Sequence, residues 1–266
     1  MAIVIRKLNY IRLKAMTNIE VNSNKSTDYD VFIAGETIDL CAPTDEEKVL
    51  NQWYKWFNQE DTTKYLAQGV RPNTQKLQKA YYESLLSDPS RIALLIKPKK
   101  YDGFVGVASL SHIDHVQRQC DFAMVIGNKL DGSDSLFFGL EAKCRMTQHA
   151  MEKLGVERIN STQAIDLLRW QNWQILFGYQ IEGILRNKFR KGRNIYDVLI
   201  SSCILEDYER LLHVRGNDLW PGKQKIFEML KRLPKPSMID ELIEWLPVKQ
   251  QEYWDKILAA TDNEDS

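Results

Sequence analysis

The segment His112-Ile113-Asp114-His115, with Asp121 a few residues on, holds the side chains of this chain best suited to moving protons. An imidazole or a carboxylate can take a proton from an attacking group when a neighbour orients it. The same H-x-D-H spacing can hold a metal, but two histidines and one aspartate without a further ligand nearby make a poor zinc set. It also suits a solvated hairpin turn, and the sequence leaves these readings open. A second feature is the run RNKFRKGR (186–193), basic with an aromatic inside. Such a run can attract phosphate, or can sit solvated at a hairpin tip. Four cysteines, Cys41, Cys120, Cys144 and Cys203, are spaced too widely for a C-x-x-C site, so reduced, buried thiols are expected.

These residues belong to a chain of 266 residues, 44% of them hydrophobic, long enough for a sizeable core. Lys+Arg and Asp+Glu are each 36, so a global basic footprint for nucleic acid is absent. The apolar start MAIVIRKLNYIRLKAM is broken by Arg6, Lys7, Arg12 and Lys14 and has no secretory cleavage site. No run reaches the ~18 apolar residues of a membrane span. A cytoplasmic protein with no membrane partner is the expectation.

The elements that must position the chemistry follow from hydrophobic period and punctuation. DVFIAG and TIDLCA form a strand pair turning at Gly35-Glu36. Thr44 with Glu47 predicts a capping box, opening a helix with Val49, Trp53 and Phe57 on one face. A second helix opens at Pro72-Asn73 with Leu77, Tyr81 and Leu85 aligned. RIALLIK, FVGVASL and CDFAMVIG read as three consecutive antiparallel strands, the first two turning at Tyr101-Asp102-Gly103. A helix over 139–155, a strand over 156–163, a short helix over 166–178 and a hairpin turning at Lys191-Gly192 follow. Three helical patterns, near 222–232, 237–246 and 248–260, are punctuated by prolines, and Ser237 with Asp240 can cap the second. The fold class is α/β (α+β): a central mixed, mostly antiparallel sheet flanked by helices, with a small C-terminal helical appendage. Its β–α–β step requires a right-handed crossover.

Three stretches carry a resemblance to the GNAT superfamily, in the branch of ribosomal-protein and amino-sugar N-acetyltransferases. In the first, Trp56, Asn58, Tyr65 and Leu66 fall on the pattern W-x-N-x-x-x-x-x-Y-L. In the second, Gly106, Leu110, Ile113 and Asp114 match, and Asp121 stands where glutamate is usual. In the third, Gly178, Glu182, Gly183, Leu185, Arg186, Gly192, Tyr196, Asp197 and Val198 match. The resemblance spans roughly residues 30–212, leaving an extension at 1–29 and the appendage at 213–266.

The resemblance implies transfer of an acyl group, acetyl from acetyl-CoA, to a primary amine on a small molecule such as an amino sugar or on a protein. It implies a base at Asp121, His112 or Asp114, and an oxyanion donor from the backbone near Met124, Val125 or Ile126. The coenzyme's diphosphate is expected at the turn opening the central helix, with Gly132, Ser133, Ser135, Phe138, Gly139 and Leu140 around it and Asn172 on the coenzyme arm. Two departures from the family stand out. Asp134 and Phe137 replace the usual Arg/Gln and first Gly of that turn, and Gln174 replaces a proton-donating tyrosine. They favour an alternative, a GNAT fold repurposed as a binding module. Trp170 and Trp173 fit core or partner packing. The apolar faces of the C-terminal helices fit packing on the domain, a homodimer or a protein partner.

Overall fold

The structure is a computed structural model that describes residues 29–132 and 134–261. The N-terminal extension, Ser133 and the acidic end DNEDS lie outside the described residues. From Val31 onward the chain forms one compact unit. None of its described helices is long and apolar enough to cross a membrane.

Eight strands form one sheet in the order β1-β2-β3-β4-β5-β6-β8-β7: β1 Val31–Ala34, β2 Ile38–Cys41, β3 Ile92–Pro98, β4 Gly106–Asp114, β5 Gln119–Ile126, β6 Arg158–Ala164, β7 Gln180–Lys191 and β8 Asn194–Ile204. All neighbouring pairs are antiparallel except β5 and β6. The exception is the β–α–β step, since strands joined through a helix pair parallel. The expected mixed, mostly antiparallel sheet flanked by helices is therefore present.

Between β2 and β3 lie α1 (Glu47–Trp56), α2 (Glu60–Thr63) and α3 (Gln75–Ser87). The expected capping box at Thr44 does not form. Thr44 Oγ1 accepts from Glu46 N (3.2 Å) in a turn before the helix, and Glu46 is the N-cap. In α3, which Thr74 caps through Leu77 N, Gln78 is the buried residue while Leu77 and Leu86 are more than half exposed. Leu77 and Tyr81 line a surface cavity with residues 67–73.

The central helix α4 (Ser135–Glu152) starts four residues earlier than the sequence pattern suggests. Its first turn carries Leu136, Phe137 and Phe138 and is drawn into the core, with both phenylalanines buried. Around α4 the core gathers Leu40, Ile96, Ala108, Leu110, Phe122, Leu140, Cys144 and Ile159. A short helix α5 (Leu168–Gln174) is flanked by 3-10 turns and ends at Gly178, whose φ of 86° closes it as a glycine can.

Three helices follow β8: α6 (Leu205–Arg215), α7 (Lys223–Lys231) and α8 (Met238–Thr261). α6 has no counterpart in the sequence reading. The two helices expected at 237–246 and 248–260 are one, running through Pro247. A proline costs a helix one backbone hydrogen bond, which so long a helix can absorb. Ser237 and Asp240 do form the reciprocal cap: Ser237 N donates to Asp240 Oδ2 (2.9 Å) and Asp240 N to Ser237 Oγ (3.3 Å). Leu219, Trp220 and Ile226 belong to the core cluster, so the segment leading into α7 packs on the domain.

Candidate active site

The sheet splits in its middle. β5 and β6 pair over three positions only, ending at Asp121↔Asn160. β5 then stays with β4 up to Ile126↔Gly106, and β6 stays with β8 up to Ala164↔Val198. The two diverging strands leave a fork walled by residues 122–126 and 161–164. Along this edge of β5, no strand pairs with the backbone N–H and C=O groups past Asp121. Met124, Val125 and Ile126 lie on this wall, where a backbone oxyanion donor was expected.

On the sheet face away from α4, a chain of polar side chains crosses the root of the fork. His112 Nδ1 lies 2.9 Å from Asp121 Oδ2, and Asn160 Nδ2 donates to Asp121 Oδ1 (3.0 Å). Arg158 Nε donates to Asn160 Oδ1 (2.7 Å) and its guanidinium reaches Glu182 Oε2 (2.5 Å). Ser202 Oγ donates to Glu182 Oε1 (2.6 Å). Arg158, with Ser202 assisting, holds the Glu182 carboxyl below its usual range. Glu182 is ion-paired with Arg158.

The H-x-D-H residues separate in role. A register shift between Ser111 and Asp114, with His112 at φ 51°, turns His112 toward Asp121. Asp114 Oδ1 instead accepts from Val116 N and Gln117 N, each at 2.8 Å, and closes the β4–β5 turn. His115 is exposed. No cluster of three metal-ligating side chains occurs among the described residues.

On the opposite face a buried polar cluster underlies the fork, and the sequence reading missed most of it. Lys143 of α4 is fully buried and donates to Ser161 Oγ (3.1 Å). Gln174 Nε2 donates to Ser201 Oγ (2.9 Å), and Gln163 Nε2 to Ser161 Oγ (3.0 Å). Burial pushes the Lys143 amine well below the usual lysine range. The signal available was a lysine inside the otherwise core-forming run LEAKCRM.

At the N-terminus of α4 a cavity of about 620 Å³ is lined by Lys99, Lys100, Lys223, Gly132 and Ser135, with Glu36, Asp131 and Asp134 among its acidic residues. Asp134 pairs with Lys223 and with Lys100 (3.6 Å). Ser135 Oγ donates to Gly132 O (2.9 Å), and Phe138 also borders the cavity. Gly139 is not in the turn: it is the fifth residue of α4. A Cβ there would meet Met124 Cε at 3.0 Å and Trp170 at 3.5 Å, so the glycine allows β5 and α5 to close on the helix. Leu140 is fully buried in the core, facing packing partners rather than the cavity. Asn172 is half-buried on α5. Gln174, where a tyrosine would serve as proton donor, is committed to the buried cluster.

The other wall is closed by the β7–β8 hairpin. The Lys191 amine donates to the carbonyls of Thr63 (3.1 Å), Leu66 (2.9 Å) and Gln68. Tyr65 stacks edge-on against Tyr196 (5.5 Å), and its hydroxyl donates to Asp166 Oδ2 (3.2 Å). The basic run is thus partly structural, with Lys191 clamping the loop after α2.

Residues 40–169 match the model of the acetyltransferase (GNAT) domain. A spermidine N-acetyltransferase from Vibrio cholerae, solved with CoA and spermine, is similar at 16% identity and a TM-score of 0.58, covering 66% of this chain and 99% of that one. The microcin C7 self-immunity acetyltransferase MccE, solved with acetyl-CoA and AMP, is similar at 21% identity and a TM-score of 0.53, covering 64% of this chain and 93% of that one. No curated protein matches the sequence. The fold is that of these solved acetyltransferases, and residues 40–169 are similar to the GNAT acetyltransferase domain.

Proposed function

We propose that this chain transfers an acyl group from an acyl-CoA thioester to a primary amine, in the fork between β5 and β6. The observation that carries the reading is the split itself: a parallel pair that ends at Asp121↔Asn160 and leaves one edge of β5 open. The residues present fit such a co-substrate. The open edge of β5 offers hydrogen-bonding groups to an extended amide-bearing arm, as another strand would. Lys100 and Lys223 stand at the N-terminus of α4, where a helix dipole and cations suit a diphosphate. On binding, they exchange the Asp134 carboxylate for phosphate.

The thioester supplies an activated carbonyl. What this chain supplies is position and proton transfer. With Asp121 ionised, His112 donates Nδ1–H to it, leaving Nε2 as the acceptor for the amine's proton. Asn160 fixes the other Asp121 oxygen, so the pair keeps one orientation. The backbone of residues 124–126 faces the developing oxyanion. The tyrosine wall of Tyr65 and Tyr196 and the clamp at Lys191 frame the side from which an amine enters.

A panel of primary amines, including polyamines, amino sugars and peptides, tests the reading through release of free CoA thiol. Amine-dependent release that is lost in His112→Ala supports it, and its absence with every amine class contradicts it. The second reading, a repurposed binding module, is favoured by Asp134 at the helix N-terminus and by Met124 and Trp170 closing over Gly139. It predicts no coenzyme binding.

A further inference from the structure

Lys143 occupies an unusual place for a lysine. Phe122 and Ser161 are the first residues past the last β5–β6 pair. The Lys143 amine bridges them, donating to Ser161 Oγ (3.1 Å) and lying 4.3 Å from the centre of the Phe122 ring. It also lies 3.5 Å from the centre of the Tyr179 ring. It therefore sits at the apex of the fork, on the side of α4. Its polar neighbours, Ser161, Gln163, Gln174 and Ser201, are all uncharged. No carboxylate pairs with it among the described residues.

An acyl chain ending in a methyl group is best received by apolar walls, and this apex is polar. A cation buried without a counter-ion is unfavourable, and the faces of two aromatic rings compensate only part of the cost. A ligand that brings a carboxylate to the apex supplies the missing counter-ion and so favours the ammonium form. We propose that Lys143 forms the floor of the fork and selects an acyl donor whose chain ends in a carboxylate, a dicarboxylic acyl-CoA such as succinyl-CoA. The inference rests on the reading of the fork as the thioester site, and it names the acyl class that site prefers.

The amine's titration gives the proposal its signature. Burial biases the unliganded amine toward its neutral form. A bound carboxylate favours the ammonium, so binding takes up a proton. The other titratable groups facing the amine are Tyr179 and Cys203. Burial pushes the Tyr179 phenol up and the Cys203 thiol to about 12, so both stay neutral and the proton goes to Lys143.

The test is isothermal titration of the full chain with CoA, acetyl-CoA and succinyl-CoA at mildly alkaline pH, in two buffers of different ionisation enthalpy. Succinyl-CoA is expected to bind about tenfold tighter than acetyl-CoA, as a charge-assisted contact would give. It is expected to take up a proton where acetyl-CoA does not, and Lys143→Met should level the two affinities. Binding of CoA and acetyl-CoA with no preference for succinyl-CoA overturns the selectivity while leaving the thioester site standing. A preference without proton uptake also overturns it, and that measurement needs only the wild-type chain should Lys143→Met not fold. Failure of every CoA species to bind overturns both readings.

Discussion

Asp121 divides its two carboxylate oxygens between His112 and Asn160, and that division makes it a positioning group as well as a charge. Asp121→Asn leaves one acceptor oxygen where Asp121 uses two, and no charge, and is expected to lower amine transfer by about 10²-fold or more. His112→Ala should lower it similarly, while Asp114→Asn should act on stability and leave the pH profile of transfer in place. The sequence brought His112, Asp114 and Asp121 to notice but could not separate their roles, because the register shift that turns His112 toward β5 depends on cross-strand pairing. Further along the same network, Arg158 depresses the Glu182 pKa. A carboxylate held below its usual range adds stability above the unfolded-state value near 4.5, and that share is lost as pH falls through the folded value. The pair is about one third exposed on each side, so the contribution is at most about 1 kcal/mol. Urea unfolding should show Glu182→Gln less stable than wild type at neutral pH, with the difference closing below pH ~4.

At the scale of elements, the fork depends on how α4 is anchored. Glu141, fully buried, accepts from Glu36 N (2.5 Å), Thr37 N (2.7 Å) and Thr37 Oγ1 (2.6 Å), tying α4 to the β1–β2 turn. Glu141→Ala strands these donors and should cost roughly 3 kcal/mol of unfolding free energy in urea melts. Gly127 sits against Trp56 so closely that a Cβ would fall 2.0 Å from the indole, which explains the tryptophan of the W-x-N pattern as packing rather than chemistry. Asn58 has a similar structural role, exchanging hydrogen bonds with Asn73. Strands were legible because period-two patterning and turns at Asp102-Gly103 and Gly192 are local signals. The start of α4 was not. Ser135-Leu136-Phe137-Phe138 carries no strong cap, and the tertiary burial of Phe137 and Phe138 decides where the helix begins. α6 was missed for a related reason: its helical period follows directly on a strand, with no glycine or proline between them.

The whole molecule joins these parts through its core. All four cysteines are buried, and burial pushes Cys120 and Cys203 to about 12. The folded chain should therefore leave a disulfide reagent such as DTNB unconsumed until denaturant is added, so the same reagent can report CoA release in the transfer assay. α7 reaches back to the N-terminus of α4 through Lys223, whose backbone N–H donates to Glu36 Oε2 (2.8 Å). The segment read from sequence as an appendage thus contributes a cation to the cavity at the N-terminus of α4, a placement no local pattern could disclose. In the proposed reaction acyl-CoA enters the fork with its diphosphate at this helix end. Its most direct test is titration calorimetry with CoA on the wild type and on Lys223→Glu, with circular dichroism verifying the fold of both. Binding by the wild type is expected, with a loss of about tenfold or more in Lys223→Glu, since a reversed charge beside a diphosphate is repulsive. Absence of binding by the folded wild type at millimolar CoA would contradict it.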